Sequence, residues 1–299
     1  MKIKTRDKLK RILFLGFSLS PAAIILIIFS YVAMGYCLWI SFHRWNMLEP
    51  MRWIGLDNYI TALHSWQFWN SVKITFIYAA VAVPACVILG LLVALILNQI
   101  IYARSFYRLM FFLPVITSMV VAAIVWKWLF DPDVGLINYV LYSIGIPHSH
   151  WLEWLRDPKG GALLAVLVVG IWKRIGYNAV IFLAGLQNIP KRYFEAATID
   201  GAGAISRFWY ITVPLLSPTT FFVVVLQVIS AFRVVVSVFV MTRGGPAKST
   251  DVLVYYLWEN AFHYFRMGYA ASIAYVVFIL ILVFTLLQFK FAEKRVHYQ

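Results

Sequence analysis

The chain has 299 residues, of which 63% are hydrophobic and only 13% charged, and its formal net charge is +14. A soluble domain is about one quarter charged, so this composition excludes a water-soluble fold. The basic residues stand in short clusters between apolar stretches rather than along one face. This pattern argues against nucleic acid as a partner and indicates membrane topology signals instead.

Six stretches are apolar enough to cross a membrane, since a bilayer core needs about 20 mostly apolar residues per helix. The first is too long for a signal peptide and lacks a small-residue cleavage site, so we expect it to be retained. The connections are too short to bury cores of their own. The sequence therefore predicts an all-α integral membrane protein in which residues 1–299 form a single transmembrane domain. The predicted spans are residues 12–40, 71–97, 109–130, 161–187, 214–240 and 269–291.

The distribution of lysine and arginine predicts the orientation of these spans, because cytosolic loops carry the excess. Fourteen of these residues lie in the N-terminal tail, the 98–108 and 188–213 loops and the C-terminal end from Lys290. The other three loops hold seven, together with eight of the 12 acidic residues. We therefore predict that both termini are cytosolic.

Five basic residues fall within or at the ends of the predicted spans. Lys73 and Lys127 lie near the outer interface, where a long side chain can reach the headgroups. Lys173, Arg174 and Arg233 lie nearer mid-span, where a charge costs about 2.5–3.5 kcal/mol on insertion scales. Two interpretations are open for these three: they face a solute pathway or a subunit interface, or their helices shift and tilt so that they reach headgroups.

The loop between the fourth and fifth spans, residues 189–218, has a distinct local pattern. Pro190 suits the first turn of a helix, because its missing N–H would be unpaired there. We predict a short helix from about Pro190 to Ile199. Gly201 and Gly203 then allow a turn, since glycine adopts positive φ without a Cβ clash. The pattern predicts a compact helix–turn–helix on the cytosolic face.

This loop resembles the EAA signature of permease subunits in binding-protein-dependent ATP-binding cassette (ABC) importers. The signature is E-A-A, three residues, G, nine residues, I-x-L-P. The residues in register are Glu195, Ala196, Ala197, Gly201, Ile211 and Pro214, and Val213 replaces the usual leucine. Four further segments are similar to the carbohydrate branch of these permeases: WIGLDNY at 53–59, FLPVITSMVVAAIVWKWLFDPDVGLIN at 112–138, LAGLQNIP at 183–190 and MTRGGPAKSTDVLVYYLWENAF at 241–262.

The resemblance implies a type I ABC importer permease fold in the cytoplasmic (inner) membrane of a bacterium or archaeon. The loop would then be a coupling helix in contact with a cytosolic ATPase subunit. The implied partners are a second homologous permease, two cytosolic ATP-binding subunits, an extracytoplasmic solute-binding protein, the lipid bilayer and a carbohydrate. The residues that the resemblance assigns to ATPase coupling are Glu195, Ala196, Ala197, Asp200 and Gly201.

The chain lacks GxxxxGK[ST], the loop that cradles nucleotide phosphates in such motors. We therefore expect it to bind no cofactor, with ATP and Mg used by the partner ATPase. A glycerol-phosphate importer permease of the same family is an alternative. A stand-alone channel or secondary transporter, which needs no ATPase, is a further one.

A carbohydrate pathway needs hydrogen-bonding side chains beside aromatic faces within an otherwise apolar site. The four candidates of the fifth span follow helical spacing and lie approximately on one face. Such a stripe equally suits packing against the partner permease, and its basic member leaves an anionic solute open. The pathway candidates are Trp172, Lys173, Tyr177 and Asn178 in the fourth span, and Gln227, Ser230, Arg233 and Ser237 in the fifth.

Other reactive residues indicate no enzyme. His148 and His150 form an HxH without a third ligand in view, so we expect no metal site. Cys37 and Cys86 lie in apolar stretches without CxxC spacing, which excludes a disulfide framework. An intramembrane hydrolase would need paired carboxylates, a Ser/His dyad or a His-rich metal set within the spans, and all six histidines lie outside them.

The segment after the fifth span predicts a tight turn at residues 243–246, Arg-Gly-Gly-Pro, on the outer side. It resembles the TxGGP segment of the permease family, which a docked binding protein would touch. Asp251 and Glu259 lie nearby without a base or nucleophile beside them in the sequence. We therefore expect no catalysis there.

Overall fold

The computed structural model describes residues 5–99, 104–145 and 153–292, and within these ranges the chain is predominantly helical. The helices are α1 (Thr5–Leu26), α2 (Ala33–Ser41), α3 (Asp57–His64), α4 (Trp66–Gln99), α5 (Arg104–Ile116), α6 (Met119–Leu129), α7 (Leu136–Ser143), α8 (Gly161–Gln187), α9 (Lys191–Ile199), α10 (Ala204–Arg207), α11 (Val213–Leu215), α12 (Ser217–Phe232), α13 (Val236–Met241), α14 (Leu253–Trp258) and α15 (Met267–Ala292). Segments of π-helix occupy Ile27–Val32, Phe208–Thr212 and Glu259–His263.

The described residues form two compact units, the first comprising the chain up to His64 together with Glu259–Tyr275, the second Ser65–Trp258 together with the chain from Val276. In the first unit, α1, the π-helical segment and α2 follow one another without a break. Within Phe14–Ser41 the most apolar window has no buried residue. An apolar surface exposed over that length requires lipid around it.

A small hairpin follows α2 in the first unit. Strands β1 (His43–Arg44) and β2 (Arg52–Trp53) pair antiparallel, with His43 opposite Trp53. Asn58 of α3 anchors the hairpin, because its buried Nδ2 donates to Ser41 O at 2.8 Å and to His43 O at 3.0 Å. Gly268 lies so close that a Cβ there would be 1.8 Å from His43 O, which explains why glycine occupies that position.

The second unit is organised around the contact between α4 and α8. A Cβ on Gly90 would lie 2.6 Å from the Cβ of Asn178, and a Cβ on Gly170 would lie 2.2 Å from the Tyr78 hydroxyl. Close approach through small residues is the usual way that helices associate in a membrane, where lipid removes the hydrophobic driving force between them. One apolar cluster, around Val166, joins α4 and α8 to α12, α13 and α14, and a second surrounds the end of α8.

Over the residues that it describes, the structure gives five or six spans where the sequence predicted six, and two of them are not continuous helices. Within the described ranges, five helical stretches are long and apolar enough to cross a membrane, and the α5–α6 pair makes a sixth if it is one broken span. The prediction of a continuous helix over 109–130 was wrong, because α5 and α6 meet at an angle of 95°. Ser118, between them, has extended backbone with ψ at 135°.

The fifth predicted span, 214–240, is also interrupted. Helix α12 ends at Phe232, and α13 begins at Val236. Arg233 has φ −101° and ψ 12°, and Val235 has φ −150° and ψ −45°, so neither continues the helix. The expectation of one uninterrupted helical face from Gln227 to Ser237 was therefore wrong.

Candidate functional site

The 188–213 segment contains α9, which agrees with the predicted helix at both ends to within a residue. Pro190 precedes the first helical residue, with ψ at 131°, rather than occupying the first turn as we predicted. No residue of α9 is buried, and Ile199 is 87% exposed. The helix therefore presents most of its surface, including this apolar side chain, away from the rest of the fold.

The C-terminal end of α9 is closed by a glycine motif. Gly201 has φ +78°, its N–H donates to Thr198 O, and the N–H of Ala202 donates to Ala197 O at 2.8 Å. This pair of bonds is the Schellman arrangement, which satisfies carbonyls that a helix end leaves free. Of the two glycines that we expected to allow a turn, Gly201 adopts positive φ and Gly203 does not, since its φ is −68°.

Two contacts hold α9 against the rest of the chain. Arg207 Nη1 donates to Thr198 Oγ1 at 2.9 Å, and that hydroxyl donates to Phe194 O at 2.7 Å. Phe194 packs against the apolar cluster that contains Phe182 of α8 and Val223 of α12. A movement of α9 would therefore be transmitted to the spanning helices at Phe194.

Most of the residues assigned to coupling lie on the exposed surface. Glu195, Ala196, Asp200 and Gly201 are exposed, and Ala197 is half-buried. Neither carboxylate forms an ion pair with a residue that the structure describes. Their charges are therefore available to a partner.

A second feature of the same unit is a cavity of about 450 Å³ between the spanning helices. Its lining includes six of the eight predicted pathway residues and nine others, among them Tyr78, Met119 and Arg174. Arg174 had been noted as a mid-span charge, whereas Tyr78 and Met119 carried no signal in the sequence. The predicted residues that line the cavity are Lys173, Tyr177, Gln227, Ser230, Arg233 and Ser237.

Trp172 and Asn178 do not line this cavity. Trp172 packs edge-to-face on Trp126, with ring centroids 5.5 Å apart. Asn178 is fully buried: its Nδ2 donates to Cys86 O at 3.0 Å, and its Oδ1 accepts from Gln227 Nε2 at 2.7 Å. Asn178 therefore orients Gln227, which does reach the cavity.

Lys173 donates hydrogen bonds to carbonyl groups at the C-terminal end of α5, where the span is broken. Its Nζ donates to Pro114 O at 2.6 Å, to Val115 O at 3.3 Å and to Thr117 O. In a continuous helix these carbonyls would accept from backbone N–H groups four residues later. The ammonium takes the place of those donors, which explains how the span can break within a membrane.

The two arginines of the cavity form fewer hydrogen bonds than Lys173 does. Arg174 Nη2 lies 3.4 Å from Ser230 O, and Arg233 is exposed at the end of α12. Neither forms an ion pair within the described part of the chain, and no acidic residue lines the cavity. Ser237 is buried, and its Oγ has no hydrogen-bond partner among the described residues.

The loop after α13 makes the tight turn that we predicted. Arg243 and Gly244 both have positive φ, of 52° and 78°. Asp251 is fully buried; its Oδ2 accepts from Gln67 Nε2 at 3.0 Å and lies 3.8 Å from Lys248 Nζ. These bonds give Asp251 a role in holding the loop to the start of α4.

The loop after α6 is held by a carboxylate that caps a turn. Asp131 Oδ1 accepts the backbone N–H groups of Val134 and Asp133, and these bonds lower the pKa of Asp131 below its usual value. Arg156 Nη2 donates to Asp133 Oδ2 at 2.8 Å, which raises the pKa of Arg156. Both interactions connect residues of the loop to one another.

The described histidine, cysteine and acidic side chains form no metal site, and the two cysteines are free thiols. Within 5–99, 104–145 and 153–292, no three His, Cys, Asp or Glu side chains gather where they would hold a metal ion. His148 and His150 lie outside these ranges. Cys37 is half-buried, Cys86 is buried, and both thiols are free.

These features define a class of protein: a helical membrane subunit with a polar cavity between its spans and an exposed helix on a connecting loop, which is the arrangement of a transport subunit. Residues 75–297 match the family described as binding-protein-dependent transport system inner membrane component. The chain therefore belongs to this family of multi-pass membrane permeases.

Two similar proteins are named as permeases, in agreement with the family. A probable ABC transporter permease protein of Bacillus subtilis, YesP, is 37% identical over 94% of this chain and 91% of its own length. The sn-glycerol-3-phosphate transport system permease protein UgpA of Agrobacterium fabrum is 34% identical over 93% of this chain and 94% of its own. The expected permease class is confirmed.

The fold is also that of solved permeases. A crystal structure of a bacterial ABC transporter involved in the import of the acidic polysaccharide alginate contains a chain that matches with a TM-score of 0.81 at 23% identity. The match covers 98% of this chain and 99% of that one. The predicted type I importer permease fold is therefore confirmed.

Proposed function

We propose that this chain is one of two permease subunits of an ATP-driven carbohydrate importer, that it forms half of the translocation pathway, and that its 188–213 segment contacts a cytosolic ATPase subunit. The remaining partners are a second ATPase subunit, a homologous permease and an extracytoplasmic solute-binding protein. Both termini are cytosolic, as the lysine and arginine distribution favours. The chain itself performs no chemistry and binds no cofactor.

The observation that carries this proposal is that α9 is a well-formed helix with an exposed surface. The helix is terminated by a complete Schellman motif and fixed by the Arg207–Thr198 bond, yet it buries none of its residues. The carboxylates of Glu195 and Asp200 suit basic residues of a partner surface. A rigid exposed helix whose half-buried Phe194 packs against the apolar cluster suits the transmission of force to α4, α8 and α12.

The cavity supports a carbohydrate as solute. Tyr177 is 43% exposed and presents an aromatic ring, while Gln227 and Ser230 offer hydrogen-bonding groups beside apolar walls. Few polar groups within an apolar site are typical of small-molecule recognition. A glycerol-phosphate importer is the second candidate, because the Agrobacterium relative is named for that solute.

Co-purification tests the ATPase contact. The tagged chain is purified from its host, and the bound ATPase is measured by ATP hydrolysis and by mass spectrometry. We expect the combined variant Glu195→Lys with Gly201→Pro to lose the ATPase, because it inverts a charge and because proline fixes φ near −65° where the native value is +78°. Glu153→Lys, which inverts an exposed charge in another loop, is the matched control.

An ATPase that stays bound at the wild-type level to the combined variant would overturn this role of the segment. A chain that transports its solute with no ATPase present would instead indicate a channel or a secondary transporter. Labelling of Glu195→Cys by an impermeant maleimide, with Cys37 and Cys86 replaced by alanine, tests the topology. We expect labelling only after the membrane is opened.

A further inference from the structure

The charges of the cavity are unbalanced. Lys173, Arg174 and Arg233 all line it, and none of the described aspartates or glutamates does. A charge within a membrane is costly unless an opposite charge or a hydrogen-bonding group meets it. This excess of positive charge therefore favours a ligand or partner that carries negative charge.

Of the three cations, Lys173 is the one whose charged group is already surrounded by hydrogen-bond acceptors. The backbone carbonyls at the end of α5 surround Lys173 Nζ, so its role is explained by the broken helix. Arg174 has a single long contact, 3.4 Å to Ser230 O, and no ion pair among the described residues involves Arg233. Two guanidinium groups thus remain available at the cavity.

A guanidinium group is suited to one kind of ligand. Its planar set of N–H donors matches the paired oxygens of a carboxylate or phosphate, and it cannot be deprotonated in a protein. The unpaired hydroxyl of Ser237 and the Gln227 amide, oriented by Asn178, add hydrogen-bonding groups for sugar hydroxyls. A cavity of about 450 Å³ lies within the range of small-molecule sites, roughly 300–1,000 Å³.

We propose that the solute crossing this cavity is a sugar that bears an anionic group, a carboxylate or a phosphate, and that Arg174 and Arg233 bind its charged oxygens. This inference rests on the proposed function, since it assigns the chemical class of the transported carbohydrate. It also explains why two arginines remain in the membrane with no carboxylate paired to them in the described part of the chain. The solute supplies the negative charge.

The experiment uses the complete transporter in its host, compared with a deletion of this permease. Uptake is measured for three radiolabelled probes: digalacturonate, its neutral counterpart galactobiose, and galactose 6-phosphate. We expect permease-dependent uptake of digalacturonate or of the phosphate ester, and at least tenfold less of galactobiose. The two anionic arms distinguish a carboxylate from a phosphate as the recognised group.

Variants of the arginines then test the site. Arg174→Gln and Arg233→Gln, each alone, should lower the uptake of the anionic probe at least tenfold, and Arg174→Lys should retain part of it. Arg52→Gln, an exposed arginine of β2 outside the cavity, should leave uptake unchanged. Immunoblots of membranes establish that each variant is present, and Arg233, being exposed, is the safer position for folding.

The outcomes separate the two proposals. Permease-dependent uptake of galactobiose equal to that of the anions overturns the anionic solute and leaves a carbohydrate importer. Anion uptake that survives both Arg→Gln variants within twofold also overturns it, and means that the second permease neutralises the arginines. A carbohydrate panel in which no member needs this permease overturns the proposed function itself.

Discussion

The 188–213 segment and the membrane cavity differ in the sequence distance over which their contacts form. In the segment, the contacts that shape α9 join residues close in sequence, such as Arg207 and Thr198, nine apart. In the cavity, Lys173 reaches Pro114 across 59 residues and Asn178 reaches Cys86 across 92. Local contacts form wherever the chain has the right residues, whereas distant ones need the whole helix packing to be in place.

Because of this difference, we expect mutations in the two regions to have different consequences. The segment buries little, so substitutions there should alter communication with a partner more than folding. The cavity wall is closely packed, so substitutions that enlarge a side chain there should alter folding first. The predictions below test this separation, from the largest expected effect to the smallest.

The largest effect is expected for Gly176→Ala in α8. A Cβ at this position would lie 1.9 Å from Phe111 O and 2.7 Å from Phe111 C, both backbone atoms that cannot rotate away. Overpacking of this kind costs about 3 kcal/mol, and we expect a clearly lower Tm of the purified complex, followed by tryptophan fluorescence. Gly35→Ala is the control, because a Cβ there meets no atom within 4 Å. Equal Tm values for the two variants would mean that α5 and α8 are not in close contact.

The next effect is expected for Lys173→Met. The change leaves the carbonyls of Pro114, Val115 and Thr117 without the charged donor that replaces their helical bonds. Hydrogen bonds to charged groups contribute about 1.5–3 kcal/mol, so we expect a loss of about 2 kcal/mol in thermal unfolding. Lys127→Met, at an exposed lysine of α6, should change little. A Lys173→Met variant as stable as the wild type would show that the break in the span does not depend on this side chain.

A smaller effect, on coupling, is expected for Gly201→Ala. Alanine in the left-handed region costs about 1–2 kcal/mol, and nothing within 4 Å obstructs the new methyl group, so backbone strain is the only penalty. We expect the ATP hydrolysis stimulated by the binding protein to fall about fivefold, the population change that 1 kcal/mol produces. Gly203→Ala, at φ −68°, should retain full stimulation. If Gly203→Ala lowered the stimulated ATP hydrolysis more than Gly201→Ala did, the assignment of the turn to Gly201 would be wrong.

The smallest effect is expected for Arg207→Ala, which removes the bond to Thr198 Oγ1. An exposed hydrogen bond of this kind contributes about 0.5–1 kcal/mol. We expect faster hydrogen exchange at the amides of α9 with no change in Tm, measured by mass spectrometry of the purified complex. Lys191→Ala, also exposed on α9, should leave exchange as it is. Unchanged exchange in Arg207→Ala would mean that Phe194 alone holds the helix.

The α9 region could be predicted from the sequence to within a residue because its signals are local. Proline before the helix, glycine after it and the motif register all act within about a dozen residues. Which of the two glycines would adopt positive φ could not be predicted, because a glycine permits positive φ without requiring it. The break between α5 and α6 could not be predicted, since the donor that stabilises it, Lys173, lies far along the chain.

The sequence by itself determined that the chain is helical and membrane-spanning, because its long apolar stretches suit a bilayer and a helix satisfies most of its backbone polar groups internally. It also determined the position of the exposed helix and the permease family. The tertiary structure alone decided that Arg174 and Tyr78 share a cavity with Arg233 and that Asn178 lies behind Gln227. Such juxtapositions depend on how four spans pack side by side, which no local pattern of residues encodes.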